Sequence, residues 1–250
     1  MSSATITTSA RLINSTPQTE EQAMVRKVAV SSFLGNFIEW FDYASYSYFA
    51  TTIALVFFPT DNHTVAMLQT FGVFALSFIL RPIGALFWGS YGDKKGRKAA
   101  LAHSIMFMSG ASFLIGCLPS YSVIGVGAPI LLLLLRMVQG FSASGEYAGA
   151  ATFLGEYAPT SKRGIYCSLI PASTAIGLLA GSTLATLMTA NMNSSAMVGW
   201  GWRVPFLLAG PLGLIVLYIR AKLADSPVYQ SMNDALESKG AASADGQIAA

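Results

Sequence analysis

The stretch LGNFIEWFDY, Leu34 to Tyr43, sets two carboxylates, Glu39 and Asp42, in the middle of an apolar run that extends from Val28 to Phe58 without another charge. Apolar lengths of about eighteen residues or more read as membrane spans. A carboxylate at the centre of such a span opposes insertion by roughly 2.5–3.5 kcal/mol. A chain that keeps two of them there must hold them in a protein interior rather than against lipid.

The rest of the 250 residues agree with a membrane setting. Hydrophobic residues make up 53% and charged residues only 11%, against about 25% charged in a soluble domain. The net charge of +3 is spread over short connections and forms no basic stripe, so nucleic acid is not expected as a partner. Cys117 ends the third apolar run and Cys167 begins the fifth. The topology puts them at opposite membrane faces, which excludes a disulfide between them, and no metal or other cofactor is expected. The first residues are rich in Ser and Thr and lack the pattern of a signal peptide; residues 1–26 read as a disordered cytoplasmic tail.

Apolar length predicts six spans near 28–58, 65–88, 99–117, 128–157, 168–189 and 202–220, forming one bundle over 27–223, with a polar cytoplasmic tail at 224–250. Twelve of the 15 Lys and Arg fall before the first span or after the second, fourth and sixth. The alternate connections PTDNH, LPSYSVIGVG and ANMNSSAMVGWG carry none. Basic residues collect on the cytoplasmic side, so both termini are expected there, in a multi-pass protein of the inner membrane. Gly145 with Gly149, and Gly177 with Gly181, have the spacing that lets helices pack closely.

Five Asp, Glu or Arg residues lie well inside the predicted spans, away from their ends: Glu39, Asp42, Arg81, Arg136 and Glu146. Glu39 and Asp42 are three apart and share a helix face with Tyr43 and Tyr46. Two readings follow. As neighbouring carboxylates they repel and form a candidate for holding and releasing a proton; alternatively each is neutralised by Arg81 or Arg136 in a fixed internal ion pair. Arg136 precedes MVQGFSASGEYAGAA, a stretch poor in bulk, which suggests a helix lining a water-filled cavity where a guanidinium meets a carboxylate. Glu146 is about 15 Å farther along the same helix, too far for a direct pair with Arg136. Arg81, beside Pro82, is either a pathway group or a packing residue. Enzymatic chemistry is not expected: GFSASG lacks the nucleophile-elbow spacing and follows no strand, and His103 is the only histidine within a span.

The connection GSYGDKKGRKAA, Gly89 to Ala100, resembles the signature loop of the major facilitator superfamily, with Gly89, Asp93, Lys94, Gly96, Arg97 and Lys98 each matching. The stretches GNFIEWFDY, FILRPIGA, RMVQGFSASGEYAGAATFLGEYAP, KRG and GWGWRVPFLLAGPLGLIVLYIR, followed by DSPVY, resemble its metabolite:proton symporter family, which includes proline/betaine and 2-oxoglutarate transporters. The likeness runs from Val28 to about Met232. SASGEY, where that family favours Gly-Gly-Glu, is a small departure. The Gly-Pro antiporter signature is missing from the fifth span, where Pro171 precedes the glycines, and this favours symport.

This resemblance implies an all-α membrane protein, with six helices forming one half of a major facilitator fold as 3+3 inverted repeats. It implies that Glu39, Asp42, Arg136 and Glu146 lie along the route of solute and protons. It further implies that the 89–98 loop latches the outward-facing state, with Arg97 and Lys98 reaching Glu156 or another helix terminus, and Glu156 with Arg163 as a second pair. The implied function is proton-coupled symport of a zwitterionic osmolyte or organic acid by alternating access. Twelve helices are the family's rule, and six are seen. A truncated or split product, pairing with a second copy, and pairing with a separate second half all fit, as does a six-helix channel or sensor. The expected partners are a small solute, protons and the lipid bilayer.

Overall fold

Apolar runs bounded by Pro, Gly and capping residues produce helices throughout the computed structural model, which describes residues 16–223 together with 230, 231 and 235. The first span is α1 (Thr16–Tyr48), continued past Phe49 by α2 (Ala50–Phe57). Helix was expected only from residue 27 or 28. It begins at Thr16 because Pro17 suits a first turn and Glu20, Glu21, Gln22, Ala23 and Met24 are strong helix formers. A search for apolar length cannot see such a polar extension. The expected tail at 1–15, and that at 224–250 apart from three residues, lie outside the described residues.

Asn62 caps the second span, its side chain accepting from the N–H groups of Thr64 at 3.0 Å and Val65 at 3.3 Å. That span, expected as one helix, is two: α3 (His63–Ile79) and α4 (Arg81–Lys95), broken at Leu80. Pro82 has no N–H to give the Phe78 carbonyl, so the ladder lapses just where Arg81 sits. Gly96, at φ +96°, turns the chain into α5 (Arg97–Cys117). After α6 (Tyr121–Ile124) comes the long fourth span, α7 (Gly127–Tyr157), which Pro159 ends by holding Ala158 extended. A 3-10 turn (Thr160–Lys162) and α8 (Arg163–Cys167) lead to α9 (Leu169–Asn191). Then α10 (Ser194–Gly199) and a 3-10 turn (Gly201–Arg203) lead to α11 (Val204–Ala221).

Among the described residues, five helical segments are long and apolar enough to cross a membrane: 63–95, 97–117, 127–157, 160–191 and 201–221. The first span has the length but is diluted by Asn36, Glu39, Asp42 and its tyrosines. Its neighbours explain how it is tolerated, since α1 packs along α9 and also against α7 and α11. The largest pairings map onto themselves when spans one to three are exchanged for four to six. First on fifth matches fourth on second, third on fourth matches sixth on first, and third on sixth maps to itself. That is the pattern of 3+3 inverted repeats.

Small residues set the close approaches. A Cβ on Gly181 of α9 would stand 2.6 Å from that of Ala44 on α1, and one on Gly145 of α7 would stand 2.8 Å from Trp88 on α4. One buried cluster gathers Tyr46, Ile53, Phe57, Leu132, Trp202 and Phe206; another, nearer the basic loop, gathers Val28, Leu101, Phe153, Leu154 and Ile170. Many large apolar side chains, such as Leu68, Leu86 and Leu214, are exposed, as an apolar surrounding requires.

Candidate functional site

The intramembrane charges resolve into three separate ion pairs. Positions i and i+3 on a helix are about 60° apart, and that angle parts Glu39 from Asp42. Glu39, with Tyr43, turns to the second span; Asp42 turns to the third and fourth, and Tyr46 lies between the fourth and the second.

Asp42 is satisfied on both oxygens. Oδ2 accepts from Arg136 Nη1 at 2.7 Å, and Oδ1 accepts from Ser112 Oγ at 2.9 Å and Gln139 Nε2 at 3.1 Å. Gln139 also donates to Ser112. Arg136 and Gln139, three apart on α7, present one face to α1. The Arg136 guanidinium lies 3.8 Å from the Tyr46 ring centroid and 5.5 Å from that of Phe206, and the Tyr46 hydroxyl donates to the Thr70 carbonyl at 2.9 Å. Arg136 is 0% exposed. Its guanidinium faces packed aromatic and polar side chains of the bundle. The small residues after it serve packing: a Cβ on Gly140 would strike the Ser77 carbonyl.

Glu39 meets Arg81 at the break in the second span. Arg81 Nη2 donates to Glu39 Oε1 at 2.6 Å and to the Tyr43 hydroxyl at 2.5 Å. Its guanidinium lies over the rings of Phe78, at 4.7 Å, and Tyr43, at 5.0 Å. Glu39 Oε2 and Arg81 Nε have no partner. The Arg81 side chain is 27% exposed and that of Glu39 is 1% exposed.

Glu146 pairs with Arg220 of α11. Its Oε2 accepts from Arg220 Nη1 at 3.0 Å and Ser104 Oγ at 3.1 Å, and its Oε1 accepts from Arg220 Nη2. Arg220 also donates to the carbonyls of Leu101, at 2.5 Å, and Ser31, at 3.3 Å. Arg220 was counted among the basic residues beyond the sixth span, but it is 1% exposed and inside the bundle. A signal existed: three carboxylates with two arginines leave one buried carboxylate unmatched, which demands a further cation. Nothing of comparable strength pointed to Ser112, Gln139 or Ser104.

At the basic loop, Arg97 reaches Asp93 at 3.1 Å and Glu156 at 3.9 Å. A cavity of about 120 Å³ lies beside it, lined by Trp88, Gly92, Gly145, Gly149 and Thr152. Glu156 was also expected to pair with Arg163. Arg163 is exposed at the start of α8 and makes no such pair, because Ala158–Pro159 and the 3-10 turn carry the chain away from α7. At the far end Arg203 donates to the carbonyls of Gly116, at 2.9 Å, and Leu118, at 2.6 Å, capping the end of α5. His103 binds the Ala99 carbonyl at 2.7 Å and meets Tyr91 edge-on. Among the described residues no group of three His, Cys, Asp or Glu is placed to hold a metal ion.

Comparison with known proteins gives a family for this geometry. The family described as "Sugar (and other) transporter" matches residues 27–247. A proline/betaine transporter of Salmonella typhimurium is 42% identical over 217 residues, 87% of this chain and 43% of its own length. The glycine betaine/proline/ectoine/pipecolic acid transporter of Dickeya dadantii is likewise 42% identical over 217 residues, with the same coverage. The chain thus spans less than half the length of these curated relatives. Among solved structures, the partially occluded inward open form of the xylose transporter XylE from E. coli superimposes with a TM-score of 0.75 at 17% identity, over 84% of this chain and 52% of that one. The proton:xylose symporter XylE bound to 6-bromo-6-deoxy-D-glucose gives 0.74 at 16% identity, over 84% and 46%. At that identity the likeness concerns the fold.

Proposed function

The chain belongs to the sugar (and other) transporter family of the major facilitator superfamily, and from that premise we propose that it supplies the amino-terminal half of a proton-coupled symporter for a small zwitterionic solute or organic acid. It is a multi-pass membrane protein of the transporter class; the inner membrane, the cytoplasmic placement of both termini, proton coupling and alternating access belong to the proposal. So does the solute, for which the names of the relatives favour a betaine or an imino acid.

The observation that carries the reading is the set of buried carboxylate–arginine pairs on α1, Asp42 with Arg136 and Glu39 with Arg81. A buried carboxylate that loses its arginine must take up a proton or suffer a large desolvation cost. Such a pair therefore has two neutral states, paired or protonated, and a solute that favours one of them couples its own movement to the proton. Alternating access follows if the two states prefer different packings of this half against its counterpart. The Asp93–Arg97–Glu156 cluster would then hold the basic side closed in one of them.

The test is uptake of labelled proline, betaine and 2-oxoglutarate into proteoliposomes under an inward proton gradient. The chain is assayed alone and fused to the carboxy-terminal half of the Salmonella transporter. Saturable uptake that collapses with the gradient supports the reading. Uptake that neither saturates nor responds to the gradient identifies a channel instead, and no uptake in either preparation overturns the assignment.

A further inference from the structure

Of the three buried pairs, two are closed. Asp42 accepts three hydrogen bonds with Arg136 fully buried, and both oxygens of Glu146 are engaged with Arg220 fully buried. The third differs in two ways. Glu39 Oε2 is buried without a partner, whereas both oxygens of Asp42 and of Glu146 are engaged, and the Arg81 side chain alone among these charges has appreciable exposure, 27%. The helix break at Leu80 places the first turn of α4 at the same point, and a helix N-terminus carries partial positive charge.

We propose that Arg81 and Glu39 form an exchange site, in which the anionic group of the solute takes the place of Glu39 on the Arg81 guanidinium once Glu39 has accepted a proton from water. The inference rests on the transporter reading and deepens it by naming the solute-binding group. The only bond made is O–H on Glu39, and the only electrostatic partner exchanged is the one on Arg81. The coupling follows from the charges in contact with Arg81. Glu39 ionised gives the guanidinium one carboxylate partner, and Glu39 protonated with the solute carboxylate in its place again gives it one. The proton alone leaves the guanidinium without an anion, and the solute carboxylate alone sets two carboxylates against one guanidinium; both are disfavoured in a low-dielectric site, while the cationic end of a zwitterion stays outside this count on the half-exposed side. The half-exposed face of the site is the Phe78 ring, which can receive the cationic or apolar remainder of a zwitterion. The other charges facing Glu39 are fixed by partners of their own: Asp42 on Arg136 and Glu146 on Arg220, with Tyr43 bonded to Arg81.

The experiment uses Glu39→Gln, Arg81→Gln and Arg81→Lys, read by gradient-driven accumulation and by solute counterflow without a gradient. Glu39→Gln imitates the protonated carboxyl. It should lose accumulation, and its counterflow should fall far less than its accumulation. Arg81→Gln should raise the solute KM by about tenfold or more, the loss of one charged hydrogen bond, and Arg81→Lys should recover part of it. Equal losses in every assay for all three variants would mean a merely structural pair and would overturn the proposal. So would accumulation by Glu39→Gln. Failure of the parent protein to accumulate solute counts against the transporter reading instead. The exchange is then decided on the full chain in weakly buffered detergent, where adding betaine should take up about one proton per bound solute, by linkage, and Glu39→Gln should abolish this. Absence of proton uptake by the parent overturns it.

Discussion

Gly35 of α1 leaves empty the space that Glu146 of α7 uses to meet Arg220: a Cβ on Gly35 would collide with Glu146 Oε1 and Arg220 Nη2. The glycine is required here by a close approach rather than by its backbone angles. Gly35→Ala should therefore lower stability by about 2–4 kcal/mol, combining overpacking with a displaced buried ion pair. Thermal unfolding of the purified chain in detergent reads this directly. A change below about 0.5 kcal/mol, the scale of a neutral surface substitution, would show that the pair sits elsewhere.

The same pair ties four helices, because Arg220 reaches the carbonyls of Ser31 and Leu101 as well as Glu146. Removing one member strands the other. Arg220→Gln is expected to cost about 3–5 kcal/mol, whereas Arg220→Gln with Glu146→Gln should cost clearly less, since neither charge is left uncompensated. If the double variant is as unstable as the sum of its singles, the two residues are not coupled.

Both oxygens of Asp42 are engaged, one of them by Arg136, so its replacement acts on Arg136. Asp42→Asn keeps the shape and removes the charge. It should lower the unfolding temperature and abolish gradient-driven uptake. Adding Arg136→Gln should restore much of the stability while uptake stays lost. Full uptake by Asp42→Asn would remove Asp42 from the coupling machinery.

How much of this was legible in the sequence depends on the range of each interaction. Helices follow from local apolar length, so spans such as 127–157 and 97–117 lie within two residues of where the sequence set them. The break at Leu80 was written in Pro82 but masked by the apolar residues on either side. Intramembrane charge announces itself wherever it occurs, which is why Glu39, Asp42, Arg81, Arg136 and Glu146 stood out. Pairing of Glu39 and Asp42 with Arg81 or Arg136 was one of two readings, but which carboxylate takes which arginine did not stand out, because it depends on which faces meet across 42 to 94 residues. Arg220 was missed since an arginine at the end of a span looks like an ordinary cytoplasmic charge until the unmatched Glu146 is counted against it. The Gly35 contact is tertiary and has no local sequence signal.

The turn between α4 and α5 separates backbone from charge effects in the basic loop. Gly96 sits at φ +96°, ψ 147°, a region that residues with a side chain reach only with strain. Gly96→Ala should cost about 1–3 kcal/mol. Arg97→Gln should cost less than about 1 kcal/mol, because its pairs with Asp93 and Glu156 are partly exposed and screened by solvent. If those pairs hold a closed state, however, Arg97→Gln shifts a population that its small stability effect would not suggest. The expected outcome is a nearly unchanged unfolding temperature together with an altered maximal uptake rate, and the two are measured on the same preparation. An Arg97→Gln protein unaltered in both would leave Gly96 and the break it makes as the reason for the loop's sequence.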